Sequence, residues 1–349
     1  MAKKMSKEGI FNQRTEIVSN FLNQRLSKEN SIDLAKEIVR GADGGSEIQE
    51  FDDWFNGRFV PQVVWLEKED YARAITRALP QALQFAGSDF GSTRQRDLGQ
   101  LWTDTARGFL GEIALKRFVE DNFGIEIEQD TSMDKLIEEY ISSDIKAVRE
   151  HQAEYRPPKI NVSVKTGKFN ARWMDEYSAA KIRDVDSFVF VRAGTAREHF
   201  VAFLKEVSFL KTKLFPMAEE LGELTPETSA KLWNAIPEFE AVPAYVSGFL
   251  MKKDLNMPIH SLGFDFKGNE NYRGKGKDTR RIEITRGVGV FTVQTLLEIP
   301  EIRQINPDGN INMIIGGINS DVGDKEHFYA NTGSFSYGMD NWQRFVNQL

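Results

Sequence analysis

INVSVKTGKF (160–169) alternates along its length. Ile160, Val162 and Val164 fall on one side and Asn161, Ser163 and Lys165 on the other, so a strand here carries Ser163 and Lys165 on one face. Upstream, SSDIKAV (142–148) opens a strand at Asp144, and RGFLGEIALKRF (107–118) lies in a helix expected over about 103–122. In that helix Ala106, Phe109, Leu110, Ile113, Ala114 and Phe118 form one apolar stripe, with Glu112 at its flank. IEIEQD (125–130) reads as a further strand and MDKLIEEYI (133–141) as a short helix. Downstream, FNARWMDEYSAAKIRD (169–184) reads as a helix, SFVFVRA (187–193) as a buried strand and HFVAFLKEV (199–207) as another strand. This order predicts an α/β fold, a mixed sheet flanked by helices.

Three regions follow. Residues 1–90 read as mostly helical: EIVSNFLNQRL, SIDLAKEIVRG and KEDYARAITRALPQALQFA have helical apolar spacing, the last interrupted at Pro80. GADGGSEIQEFDDWFNGRFVP is loop-like and leads into an extended VVWL (63–66). Residues 91–214 form the core just described. Residues 215–349 form a strand-rich C-terminal region that starts with a helix, Thr225 as N-cap and Pro226 in the first position.

Composition narrows the chemistry. The chain has 349 residues, a formal charge of −7 and no cysteine, which removes disulfides, thiolate zinc sites and cysteine nucleophiles. The opening MAKKMSKEGIF lacks the apolar run of a signal peptide, and no stretch approaches the roughly 20 apolar residues of a membrane span, so a soluble cytoplasmic protein is expected. The four histidines (151, 199, 260, 327) form no metal-binding spacing, and RGKGK (273–277) lacks the pattern of a P-loop.

Charge is uneven. Lys159 to Arg183 holds six Lys/Arg against Asp175 and Glu176, and Lys267 to Arg286 holds seven against Glu270, Asp278 and Glu283, net +4 in each window. Each fits either a phosphate-facing surface or a solvated face. Candidate DNA contacts are Lys168, Arg172, Arg273, Lys275, Lys277, Arg280, Arg281 and Arg286, with Arg94 and Arg96 in the loop GSDFGSTRQRD (87–97).

Phosphodiester hydrolysis needs charge neutralisation at the phosphate, an oriented water and a stabilised leaving oxygen. Asp144, the carbonyl of Val164, Lys165 and Glu112 offer hard oxygen ligands and a cation for that work. The helix of Glu112, Ser143-Asp144-Ile145 and Ser163-Val164-Lys165 together resemble the core of PD-(D/E)xK nucleases. GSTRQRDLGQLWTDTARGFLGEIA and SVKTGKFNARW are similar to type II restriction endonucleases of the MjaI-like group. The resemblance covers about 90–205.

It implies a restriction-endonuclease-like core cleaving double-stranded DNA with Mg2+, Mn2+ being a possible substitute, to leave 5′-phosphates. Asp144 and Val164 would hold the metal with Glu112, and Lys165 would activate water. It also implies a homodimer on a palindromic, CTAG-type target and a methyltransferase partner. The family's second acid, two places before the lysine, is Ser163 here, which can hold a water but cannot neutralise an ion. The alternatives are a repair or structure-specific nuclease of the same superfamily, and a DNA-binding protein that keeps the fold without the chemistry.

Overall fold

The computed structural model describes residues 6–43, 48–85, 97–129, 143–151, 153–176, 184–251, 263–267, 281–286, 288–291, 293–305, 312–315 and 327–349. The N-terminal third is helical, as expected: α1 (Lys7–Leu22), α2 (Lys28–Gly41), α3 (Ile48–Trp54), then β1 (Val63–Leu66) and α4 (Lys68–Phe85). The core follows as α5 (Leu98–Phe123), β2 (Ile125–Gln129), β3 (Ile145–Glu150), β4 (Val162–Gly167), β5 (Trp173–Glu176), β6 (Ser187–Ala193) and α6 (His199–Glu206). Then come α7 (Phe215–Glu220), α8 (Pro226–Ala235), β7 (Val242–Met251), β8 (Gly263–Lys267), β9 (Arg281–Arg286) and β10 (Val288–Phe291). The last elements are α9 (Val293–Leu297), α10 (Pro300–Ile305), β11 (Asn312–Ile315), β12 (His327–Asn331) and α11 (Met339–Val346).

The fold is mixed α/β. Its central sheet has the order β1-β7-β6-β4, with β4 parallel to β6 and the other pairs antiparallel. It draws β1 from residues 1–90, β4 and β6 from 91–214, and β7 from 215–349. β6 is buried at every position, and its centre, Phe188 to Val191, is accordingly a continuous apolar run rather than an alternation. One face of the sheet, through Val189, Val191 and Val246, packs on Phe109, Leu110, Ile113 and Ala114 of α5 and on Trp342 and Phe345 of α11. The other face, through Phe188, Phe190 and Leu250, packs on Met174 and Phe328 of a second sheet, β10-β12-β5. α5 begins at an Asp97 cap that accepts from the Gln100 amide at 2.8 Å and ends at Gly124, left-handed with φ 65°.

Four segments differ from expectation. Residues 173–176, expected to be helical, form β5, because Trp173, Met174 and Glu176 are buried in antiparallel pairing with β12. Residues 199–206, expected to be a strand, form α6. His199, Ala202 and Phe203 are buried at helical spacing, while Val201, which a strand would bury with them, is 40% exposed. The loop-like stretch after α2 contains α3, a π-helical turn (Phe55–Phe59) and a 3-10 turn (Val60–Gln62), with Phe51, Trp54, Phe55 and Phe59 packed into one cluster. α4 runs through Pro80; Thr76, whose carbonyl loses its donor there, sits where water reaches it. The segment 133–141 lies outside the described residues.

A buried carboxylate ties these parts together. The Asp43 side chain is fully buried beyond the end of α2. It is ion-paired with Arg192 of β6 and lies 3.7 Å from Arg58. It also accepts from Thr332 Oγ1, from the Tyr245 hydroxyl at 3.1 Å and from Trp54 Nε1 at 3.3 Å. Arg58 continues the network to the carbonyls of Ser247 (2.8 Å) and Thr332 (2.9 Å). Ser247 is the extra residue of a bulge in β7, where Phe190 pairs with Gly248 and Val191 with Val246; its carbonyl is satisfied by Arg58. Burial pushes the Asp43 carboxyl up, but Arg192 and Arg58 together with the hydrogen bonds hold it below its ordinary value.

Asp43→Asn leaves two buried guanidinium groups without a counter-charge, so urea unfolding should show a loss of about 3–5 kcal/mol. A loss under about 1 kcal/mol would remove Asp43 from this role. His199 gives a pH prediction. Burial lowers its pKa from 6.5, its Nδ1 accepts from the Ala196 amide, and its Nε2 faces the Glu240 carbonyl at 3.1 Å. The folded state therefore keeps His199 neutral while the unfolded chain takes up a proton below pH 6.5. That stabilisation is complete above pH 6.5 and declines as pH falls, by up to about 1.4 kcal/mol per unit. Denaturation midpoints from pH 7.5 down to 5 should show this limb, and His199→Gln should flatten it.

Candidate functional site

The site is built on the edge of β4 that β6 does not occupy. The segment before β3 docks there: the Asp144 amide donates to the Val162 carbonyl (2.8 Å), and the Val162 amide to Ser143 Oγ (3.2 Å). The Val164 amide then donates to Asp144 Oδ2 at 2.6 Å. A strand residue presents its N–H and C=O on the same edge, so the Val164 carbonyl opens on the side where the Asp144 carboxylate stands. β3 turns away from this point to pair with β2, with Gln129 opposite Ile145 at an irregularity. The Asp144 carboxylate is thus held against the outer edge of β4 at Val164.

The two faces of β4 divide the remaining groups. Val162 and Val164 face α5, as does Thr166, whose Oγ1 donates to the Gly108 carbonyl at 3.1 Å. Ser163 and Lys165 face the second sheet, in register with Phe188 and Phe190. There Lys165 is ion-paired with Glu176 of β5; Glu176 is 4% exposed and Lys165 22%. Ser163 is 1% exposed, and its hydroxyl has no hydrogen-bond partner among the described residues.

Glu176 is a residue that the sequence did not single out. It counted only as a counter-charge in the basic window and fell inside an expected helix. The available signal was its place two residues after Met174, which alternation within a strand turns to the same, buried side.

Glu112 is half-buried on α5, one residue after the closest approach of that helix to β4. At Gly111 a Cβ would lie 1.8 Å from Thr166 Oγ1, so glycine is what lets the helix sit down on the strand. Glu112 faces Arg77 of α4: burial lowers the Arg77 pKa, and the Glu112 charge opposes that shift. Arg77 in turn donates to Gln129 Oε1 at 2.7 Å, at the end of β2 opposite Ile145. The structure therefore joins Asp144 with Val164, Lys165 with Glu176, and Glu112 with Arg77. Among the described residues no group of three or more His, Asp or Glu side chains is spaced to share one metal ion.

The basic candidates are dispersed. Lys168 is exposed just past β4. Arg172 is exposed and its Nε donates to the Arg40 carbonyl at 2.6 Å, bracing the end of α2. Arg281 and Arg286 are the first and last residues of β9. Arg94, Arg96, Arg273, Lys275, Lys277 and Arg280 lie outside the described residues. His199 is a core residue and His151 an exposed turn residue with φ 44°. No helix among the described residues is long and apolar enough to cross a membrane.

Comparison with known proteins adds no relative: no protein-family model matches the chain, and neither a curated protein nor a solved structure matches it. The Gly111 contact is directly testable. Gly111→Ala should push α5 off β4 at a cost of about 1–3 kcal/mol in urea unfolding. Adding Thr166→Ala, which removes the nearest atom, should recover most of that loss. A silent Gly111→Ala would show that the helix does not depend on this contact.

Proposed function

We propose that this chain is a metal-dependent DNA endonuclease of the type II restriction kind, built on a restriction-endonuclease-like core. The observation that carries the reading is the 2.6 Å hydrogen bond from the Val164 amide to Asp144, which fixes a carboxylate beside the strand that bears Lys165. The order of elements supports it as well: a long helix with Glu112, the antiparallel pair β2–β3 with β3 starting next to Asp144, then β4 and its parallel partner β6.

The donor set suits magnesium, which prefers oxygen and takes one or two protein carboxylates while keeping several waters. Asp144 and the Val164 carbonyl would hold it, with Glu112 or Glu176 as the further acid. When bound, magnesium supplies the positive charge that neutralises the phosphate and lowers the proton affinity of the attacking water. Asp144 is held in place by its backbone hydrogen bond. Lys165, released from or shared with Glu176, orients the water and stabilises charge on the phosphate oxygens. Glu176 fills the gap left by Ser163: it supplies an acid next to the lysine from β5 instead of from two places before it. Double-stranded DNA is the substrate in this reading, a homodimer reads a palindromic site, and a methyltransferase protects the host's own copies.

One observation favours a second reading, a DNA-binding protein without cleavage. Lys165 is already neutralised by Glu176, and Ser163 contributes no charge.

Unmethylated phage DNA incubated with magnesium should give discrete bands on a gel. Lys165→Ala and Asp144→Ala should each lower cleavage by about 100-fold or more while duplex binding persists. Glu176→Gln should raise the magnesium concentration needed for half-maximal cleavage. A fully active Asp144→Ala protein sinks the assignment; intact DNA in both magnesium and manganese, with duplex still bound, selects the second reading.

A further inference from the structure

A cleft of about 480 Å3 opens between α4, α5 and the end of β2, lined among others by Asp70, Arg73, Arg77, Lys116, Arg117 and Gln129. Its charges are not equivalent. The Asp70 side chain is fully buried and is taken up by Arg117 at 2.7 Å. Lys116 is taken up by Glu120 at 2.8 Å and by the Ile127 carbonyl. Arg73 lies 3.7 Å from Asp70, beyond hydrogen-bond reach, and is 61% exposed. Arg77 is hydrogen-bonded to Gln129, a neutral amide. Once the two close ion pairs are set aside, the lining leaves Arg73 and Arg77 against Asp121, with the Glu112 charge beside Arg77.

The placement of these two arginines matters more than their number. They are four residues apart on α4, so they stand one above the other on a single face, about 5–6 Å apart at their Cβ atoms. Gln129, which orients Arg77, is paired with Ile145, the residue after Asp144. The Arg77 end of the cleft therefore lies at the strand pair whose β3 begins next to Asp144. A planar guanidinium presents a fork of donors matched to phosphate oxygens, and two such forks in a row suit a chain of phosphates better than a single small anion.

We propose that Arg73 and Arg77 form a backbone clamp for double-stranded DNA, gripping the strand next to the one positioned at Asp144. This rests on the nuclease reading for its substrate, but it concerns binding alone. The arginines contact phosphates, so they add affinity without sequence preference. They leave no mark in the charge pattern, because they sit in a helix whose other face is core and outside both basic windows.

The test is duplex binding by fluorescence anisotropy in EDTA, so that no cleavage intervenes, with salt varied from about 50 to about 200 mM. Arg73→Ala and Arg77→Ala should each make the plot of log affinity against log salt shallower by about one, and the double variant by about two. Lys231→Ala, an exposed lysine of α8, serves as the control and should leave the slope unchanged. Arg77→Lys should keep the slope while binding more weakly, since charge survives and the fork does not. Arg73 is exposed, so its variant also answers if Arg77→Ala fails to fold. Wild-type slopes in both single variants overturn the clamp and leave the nuclease reading standing. Saturable binding of inorganic phosphate that depends on Arg77, with duplex affinity that does not, assigns the cleft to a small anion and overturns the clamp too. A wild-type protein that binds no duplex at low salt overturns both readings at once.

Discussion

The buried carboxylate of Asp43 is the constraint on which the architecture depends. It draws donors from α3, from β6, from β7 and from the segment after β12, which are far apart in the chain, with Arg58 of the turn after α3 close by. Two arginines around one acid could not be buried without further acceptors, and the carbonyls of Gly41, Ser247 and Thr332 provide them. The bulge at Ser247 is part of this arrangement. An extra residue in β7 turns one carbonyl out of the ladder, and Arg58 uses it. The helical N-terminal segment is thereby fixed to the central sheet by polar geometry, while the aromatic cluster of Phe51, Trp54, Phe55 and Phe59 fills the space around it.

With the sheet fixed in this way, the candidate site needs only local adjustments. β4 is an edge strand of the central sheet, so its outer N–H and C=O groups are available, and the segment carrying Asp144 satisfies them. The glycine at 111 lets α5 pack closely on one face of β4, and β5 brings Glu176 to the other. Asp144 thus reaches β4 along its edge and Glu176 across its face, where Lys165 meets it.

Much of this was legible from local pattern. The stripe from Ala106 to Phe118 gave α5, the alternation from Ile160 to Lys165 gave β4, and the apolar run from Phe188 to Val191 gave β6; each signal is carried by residues adjacent in sequence. The positions of Asp144, just before β3, and of Lys165, on β4, were legible for the same reason. What was missed depends on distant partners. β5 exists because β12, some 150 residues later, pairs with it, so neither its strand state nor the inward turn of Glu176 was visible nearby. Asp43 was hidden in a glycine-rich stretch whose composition reads as loop. α6 was short and apolar enough to fit either period.

The contact between Gln62 and Trp342 bears on how the molecule is made. The Gln62 side chain accepts from the indole of Trp342, 280 residues away, and donates to the Val246 carbonyl. Since β1 pairs with β7 and α11 closes the face of the sheet beneath α5, the first strand of the central sheet cannot find its neighbours until most of the polypeptide exists. Such a topology has high contact order, so it should fold slowly and hold an incomplete sheet while the ribosome is still at work. The helices before β1 would then have a second task, shielding that strand from other chains during the wait.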